Sequence, residues 1–438
     1  RRLEEAEAAL EGPLTADDAE TSCTASLVLG DIRRKQGDET AARTAFDEAL
    51  AVAGEHGIDR VTGAALRELG LLDLFQGRLR DAERRFADAL DLAERVGDRR
   101  GAGWALQHLA WSATTRADYG LVEEVLQRAS AVFDDLQDTG GLAWCAGTQA
   151  LVRVLQGRHR EARGVVAGLL PVAEQMGAGW EVAACRTIDA IAAAELGDLE
   201  TAREQIVLAT GGFEALDDSW GLAMAALGEA IVARGLGETR AARTALRRSI
   251  AGATAAHHPA LELLATVLVG LLHLDRVDNR AASTASDRAG EIAATLDLSE
   301  SALSAQMVLR AQVLRARGHL DEAYDLLDAA ARADQPTLLF PRRQAVAHLA
   351  GVLLQREDVA GAREAITRAR SVPAEDVRSR VVTQRVLADV LAAEGDAAGA
   401  RAAADEAMRL VEESGLLGEL PATKRLRSRL RAREKAGG

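Results

Sequence analysis

The strongest constraint on this chain is a repeat of forty residues. Gln36-Gly37-Asp38 returns as Gln76-Gly77-Arg78, Gln156-Gly157-Arg158, Leu196-Gly197-Asp198 and Leu236-Gly237-Glu238, with a late member at Glu394-Gly395-Asp396. The same position is held by Ala117, Val277, Gly318 and Glu357, which makes ten marks in all. A fixed period between roughly twenty and fifty residues means stacked copies of one supersecondary unit, none of which buries its apolar face alone. Such a chain works as an extended surface, so what it binds is the first question and what it converts is the second.

Positions counted from the mark define the unit. Five residues after it stand Ala42, Ala82, Val122, Ala162, Ala202 and Ala242; nine after it stand Phe46, Phe86, Leu126, Val166, Ile206 and Leu246. Twelve after it come Ala49, Ala89, Ala129, Leu169 and Ala209, and seven before it come Gly30, Gly70, Ala110, Ala150, Ala190 and Ala230. The later offsets share one face of a helix with about 3.6 residues per turn. One helix therefore precedes each mark and another follows it. In the second unit these run from about residue 60 to 76 and from about 80 to 96, each roughly 25 Å long. The small residues let the two helices approach closely, and the large residue nine after the mark fills the groove beside them. A glycine at the mark suits a tight left-handed turn. Pro171 falls inside a predicted second helix and is expected to kink or shorten it. No run alternates in the manner of a strand.

These residues carry a family resemblance. Gln36-Gly37-Asp38-Glu39-Thr40-Ala41-Ala42, followed by Phe46, Ala49 and Leu50, resembles the turn and second helix of the tetratricopeptide repeat, and Leu29-Gly30 and Leu69-Gly70 resemble the leucine-glycine pair of its first helix. The forty-residue period exceeds that family's usual length of about 34, as if about half a turn were added to each helix and the loop between repeats were longer. Where the family has a tyrosine-type residue, four before the mark, this chain reads Arg33, Asp73, Ala113 and Arg153. The resemblance implies an all-α, right-handed superhelical solenoid of about ten antiparallel helix hairpins. It also implies a concave groove lined by first helices. Long repeats of this kind resemble the C-terminal sensor parts of bacterial STAND and LuxR-type signalling regulators, where such modules bind an effector or partner and control an ATPase.

The expected organisation is a solenoid over 1–415 and a C-terminal capping helix with a basic tail over 416–438. Residues 1–12 read as the end of a second helix whose first helix is missing, a truncated half-repeat of the sort left when a chain continues upstream. The composition fits packed helices: 48% apolar residues but only 3% aromatic. A net charge of −14 argues against nucleic acid as a partner of the body. Only the stretch 424–435, beginning Lys424-Arg425-Leu426-Arg427, is basic; it reads as a cap helix with solvated charges or as a contact for an acidic partner. No run of eighteen apolar residues is present, so no membrane span is expected. Cys23, Cys145 and Cys185 have neither disulfide nor metal spacing, which suits a reducing, cytoplasmic setting. Lysine occurs only at Lys35, Lys424 and Lys435 among 53 basic residues, and alanine is abundant, as in a GC-rich bacterial genome.

Motifs for chemistry are missing. No lysine is followed by Ser or Thr after a glycine run, so there is no phosphate-binding loop. Metal, redox and nucleophile-elbow motifs are absent too, and no catalytic residue, metal ligand or cofactor site is read. His257-His258 stands in a turn, either as half of a metal pair or as solvated side chains. The candidates for function are apolar. The position six before the mark reads Leu71, Trp111, Leu151, Ile191, Ile231 and Leu271, with Trp104 and Trp144 nearby on first helices. This stripe is either core or a groove for a protein or peptide partner. Should it be core, the binding surface lies among polar first-helix residues such as Arg67, Gln107 and Arg234. The reading is a non-catalytic interaction or effector-sensing module. Its partner is a protein or peptide, an upstream ATPase domain of the same polypeptide included. A free-standing adaptor is the alternative, and an enzyme with its site in the groove is the third.

Overall fold

A computed structural model describes residues 5, 8–332 and 342–437. Among these residues the secondary structure is helical, with no strand. A short helix α1 (Glu11–Leu14) precedes ten consecutive pairs. They are α2 (Ala19–Lys35) with α3 (Glu39–His56), α4 (Asp59–Phe75) with α5 (Leu79–Val96), and α6 (Arg99–Thr115) with α7 (Tyr119–Asp135). Then follow α8 (Thr139–Leu155) with α9 (His159–Gln175), α10 (Gly179–Leu196) with α11 (Leu199–Leu216), and α12 (Ser219–Gly235) with α13 (Thr239–Ala255). The remaining pairs are α14 (Pro259–Asp275) with α15 (Asn279–Ala294), α16 (Glu300–Ala316) with α17 (Leu320–Arg332), α18 (Arg342–Gln355) with α19 (Val359–Ser371), and α20 (Val377–Ala393) with α21 (Ala397–Ser414). A 3-10 turn, Leu417–Glu419, leads into α22 (Leu420–Gly437). The chain is an all-α solenoid of helix hairpins. It forms two compact units: unit 1 holds residues 1–148 with 255–260 and 295–297, and unit 2 holds the rest. Part of the expected half-repeat at 1–12 lies outside the described residues.

Every one of the ten marks has a positive φ. Seven are glycines, and Ala117, Val277 and Glu357 adopt the same left-handed geometry at φ 57°, 62° and 64°. At the first turn the Gly37 amide donates to the Arg34 carbonyl and the Asp38 amide to that of Arg33, which satisfies the last carbonyls of α2. The Asp38 carboxylate then caps α3 by accepting from the Ala41 amide at 3.0 Å. The connector thus ends in a left-handed residue followed by a cap, repeated at Asp118, Asp198, Asp358 and Asp396. A second series lies twenty residues out of phase. Gly57, Gly97, Gln137, Gly177, Asp217 and His257 are also left-handed, and they join one hairpin to the next. The backbone unit is therefore a helix and turn of twenty residues, used twice per repeat.

The interface between paired helices follows the sequence pattern. Ala42, Ala82, Val122, Ala162, Ala202 and Ala242 are buried, as are Ala49, Ala89, Ala129 and Ala209. Phe46 and Phe86 are fully buried against glycines: a Cβ at Gly70 would sit 2.5 Å from the Phe86 ring, and one at Gly30 would overlap the ring of Phe46. Pro171 departs from expectation. Helix α9 continues to Gln175, as long as the preceding helix α8, so the proline does not shorten it. The ring lies on the exposed side, while Val166, Leu169 and Ala173 hold the other face in the core.

Two variants test this register. Val277 is β-branched, left-handed and 59% exposed, so its backbone is strained with little packing to lose. Val277→Gly should raise stability by about 1 kcal/mol in urea unfolding. Ala89→Trp should overpack the helix contact and lower stability by about 1–3 kcal/mol or more, and an unchanged melting curve would contradict the register.

Candidate partner-binding surfaces

In unit 1 consecutive first helices carry an aromatic row. Phe75 closes α4, Trp111 lies on α6 and Trp144 on α8. The Phe75 and Trp111 rings meet edge to face at 5.5 Å, and Trp111 lies 5.9 Å from Trp144. All three are half-buried, so the row packs on itself while leaving surface open. The ring of His258, from the 255–260 segment of the same unit, lies 5.6 Å from Phe75. Burial pushes the His258 imidazole down to about 4, so it is a neutral packing group and not a solvated one. Trp104 is two turns away along α6, edge-on to Phe133 at 5.2 Å.

Polar groups in unit 1 are tied into the fold. Gln107 is buried and donates to Thr148 Oγ1 at 3.1 Å. His108 is pushed down to about 3 by burial and by the charges of Arg67 and Arg34. Asp73, at the position where the repeat pattern expects an aromatic phenol, is nearly inaccessible. It accepts from Arg43 at 2.8 Å and Arg78 at 2.5 Å and pairs with Arg85 at 2.9 Å. One carboxylate thereby joins α3, α4 and α5 through charge-assisted bonds.

Unit 2 has a charged inner end instead. Arg234, on the last turn of α12, makes a two-point contact with Asp275 of α14 at 2.7 and 3.1 Å. Glu419 is buried, pairs with Arg378 and lies 2.9 Å from Arg385, both on α20. These arginines, with Arg234 and His348, hold the Glu419 carboxyl at about 2 despite its desolvation. Glu195, at the end of α10, behaves in the opposite way. Burial, then Asp376, pushes its carboxyl up to about 7, against the pull of Arg378 and Arg234. Elsewhere in unit 2, Trp180 and Trp220 stack in parallel with centroids 5.6 Å apart, both half-buried.

The tetratricopeptide repeat family matches residues 20–95 and 61–135. Residues 20–135 carry tetratricopeptide-like repeats. The fold is also similar to the crystal structure of a Rap protein complexed with competence and sporulation factor, at 15% identity. That match covers 84% of this chain and 92% of the other, with a TM-score of 0.52. The crystal structure of yeast Tom70 is matched at 12% identity over 94% of this chain and 97% of the other, with a TM-score of 0.39. No curated protein matches the sequence.

Along the first helices the apolar stripe divides. Trp104, Trp111, Trp144 and Leu151 are half-buried, whereas Leu71, Ile191, Ile231 and Leu271 are buried. Open apolar surface at this position is thus confined to Trp111 and Leu151. The polar substitutes are little freer: Gln107 is buried, Arg234 is committed to Asp275, and Arg67 is half-buried and held below its ordinary range by desolvation. Glu195, Arg378, Arg385 and Glu419 went unnoticed in the sequence, because nothing in a forty-residue pattern marks charges that meet across some 200 residues. Phe75 had a signal: it stands two residues before its mark, where Thr115 and Leu155 stand in the next repeats.

The sign of the pH dependence follows. The Glu195 carboxyl ionises near 4.5 in the unfolded chain and near 7 in the fold. Its contribution is therefore complete below about pH 4.5 and is lost as the pH rises through 7. Glu419 is opposite: its contribution is present above about 4.5 and is lost as the pH falls toward 2. Glu195→Gln should match the native stability closely at pH 4 and exceed it by about 3 kcal/mol at pH 8. Urea unfolding at both pH values checks this, and curves that stay parallel across the range would contradict it.

Proposed function

We propose that the chain is a non-catalytic module that binds a protein or peptide partner along its first helices. A helix-hairpin solenoid supports this reading. The observation that carries the reading is the row Phe75, Trp111 and Trp144: large half-buried rings on three consecutive first helices of unit 1. Aromatic anchors of this kind supply most of the energy in a partner contact. In this reading Trp104, Arg67 and Gln107 flank the row in unit 1, and Leu151, Ile191, Ile231, Leu271 and Arg234 are the first-helix candidates of unit 2. The half-buried ones touch the partner and the buried ones shape the floor. The Rap structure, which contains competence and sporulation factor, supports an effector-binding role for a chain of this fold. The arginine-rich, lysine-poor composition supports a bacterial source. The setting we infer is cytoplasmic, as the sensing part of a larger signalling ATPase or transcriptional regulator; no described helix is long and apolar enough to cross a membrane.

The test is a tryptophan truncation. Trp111→Ala should weaken binding of a partner isolated with the native protein at least about tenfold, while circular dichroism keeps its helical signal. Unchanged affinity with an intact fold would remove the row from the binding surface.

A further inference from the structure

The inner end of unit 2 holds more than a terminal cap requires. The chain leaves α21 through the left-handed Gly415, makes the turn Leu417–Glu419 and enters α22. In that turn its backbone lies on the last turn of α12. A Cβ at Gly418 would overlap the Arg234 carbonyl oxygen, and one at Gly237 would lie 3.3 Å from both the Gly418 nitrogen and the Leu417 carbonyl carbon. Leu416 is buried, with its Cδ1 3.4 Å from where a Gly235 Cβ would be. Glu419 then places its carboxylate against Arg378 and Arg385. A short irregular stretch thus seats an apolar side chain, a glycine and a carboxylate in a recess with a charged floor. Peptides are held by the same elements, close backbone approach for affinity and arginines for the acid group.

One buried donor is left over. Arg385 pairs with Glu419 through Nη2 at 2.9 Å, but its Nη1 is buried with no hydrogen-bond partner among the described residues. Fixed structural pairs use their donors, because a buried donor left unmatched is costly. A recess that receives carboxylates in more than one pose keeps a donor in reserve.

We propose that this recess is a binding site for an acidic peptide, filled in cis by the chain's own Leu416–Glu419, so that a peptide bearing an apolar residue, a glycine and a glutamate in that order competes with it. The proposal rests on the reading of the chain as a peptide- or protein-binding module and adds a second, self-occupied site to it. A tethered segment acts at an effective concentration on the order of millimolar, so a free copy gains entry only when the tether is loosened.

The experiment uses the full chain and a fluorescein-labelled peptide copying Ser414–Lys424. Gly418→Val drives a side chain into the Arg234 carbonyl and lifts the segment, while Arg378 and Arg385 are untouched. This variant should bind the peptide at least tenfold more tightly than the native chain. The same peptide with glutamine in place of its glutamate should lose that gain. A folded Gly418→Val variant that binds no better than the native chain overturns the proposal and makes the segment a structural cap only. Should that variant fail to fold, Glu419→Gln replaces it: amide exchange over Leu416–Thr423 should quicken at least tenfold and peptide binding should appear, and absence of either overturns the proposal. Trp111→Ala should leave affinity for this peptide unchanged, which separates the fate of this site from that of the aromatic row.

Discussion

The fold depends on how closely a first helix can lie against its second helix. Gly70 sits under the ring of Phe86 and Gly30 under that of Phe46, with no room for another carbon at either place. Small residues elsewhere in the interface, Ala49, Ala89 and Ala129 among them, keep the same spacing without a ring. Close packing of this kind is non-directional but unforgiving of added volume. It fixes one face of every helix and leaves the rest of each first helix free to vary. That division explains why the interface residues repeat and the inner-face residues do not.

The two units use that freedom differently. Unit 1 carries a row of rings on its first helices, and it holds the buried acid Asp73 among three arginines. Unit 2 gathers Glu195, Arg234, Asp275, Arg378, Arg385 and Glu419 near one place. Replacing such buried charges by apolar residues is often neutral or stabilising, so stability alone gives little reason to keep them. The opposed shifts of Glu195 and Glu419 show that the cluster is not evenly matched. Glu419 is held charged by its arginines, whereas Glu195 is pushed toward neutrality first by burial and then by Asp376.

Much of the fold was legible because it is local. The mark glycines, the alanines five and twelve residues on, and even the non-glycine marks Ala117, Val277 and Glu357 stand at their expected places in the turns and interfaces. The twenty-residue half-period was also readable in Gly57, Gly97 and Gly177 but was hidden by the stronger forty-residue signal. Pro171 misled because propensity is decided by tertiary clamping, and its helix is clamped on the opposite face. The inner surface was legible only in part. A helical period places Trp111 and Ile191 at one position, yet one is half-open and the other buried, because exposure depends on neighbours far along the chain. The charge cluster of unit 2 has no local sign at all.

The central claim, that a small residue under a large ring sets the helix spacing, is tested most directly by a double-mutant cycle at Gly70 and Phe86. Gly70→Ala and Phe86→Leu should each destabilise the protein, and the double variant should be more stable than the sum of the two by at least about 0.5 kcal/mol, since the smaller side chain makes room for the added methyl. Two effects that simply add would show that the ring and the glycine do not set each other's space, and the account of the fold would fail there.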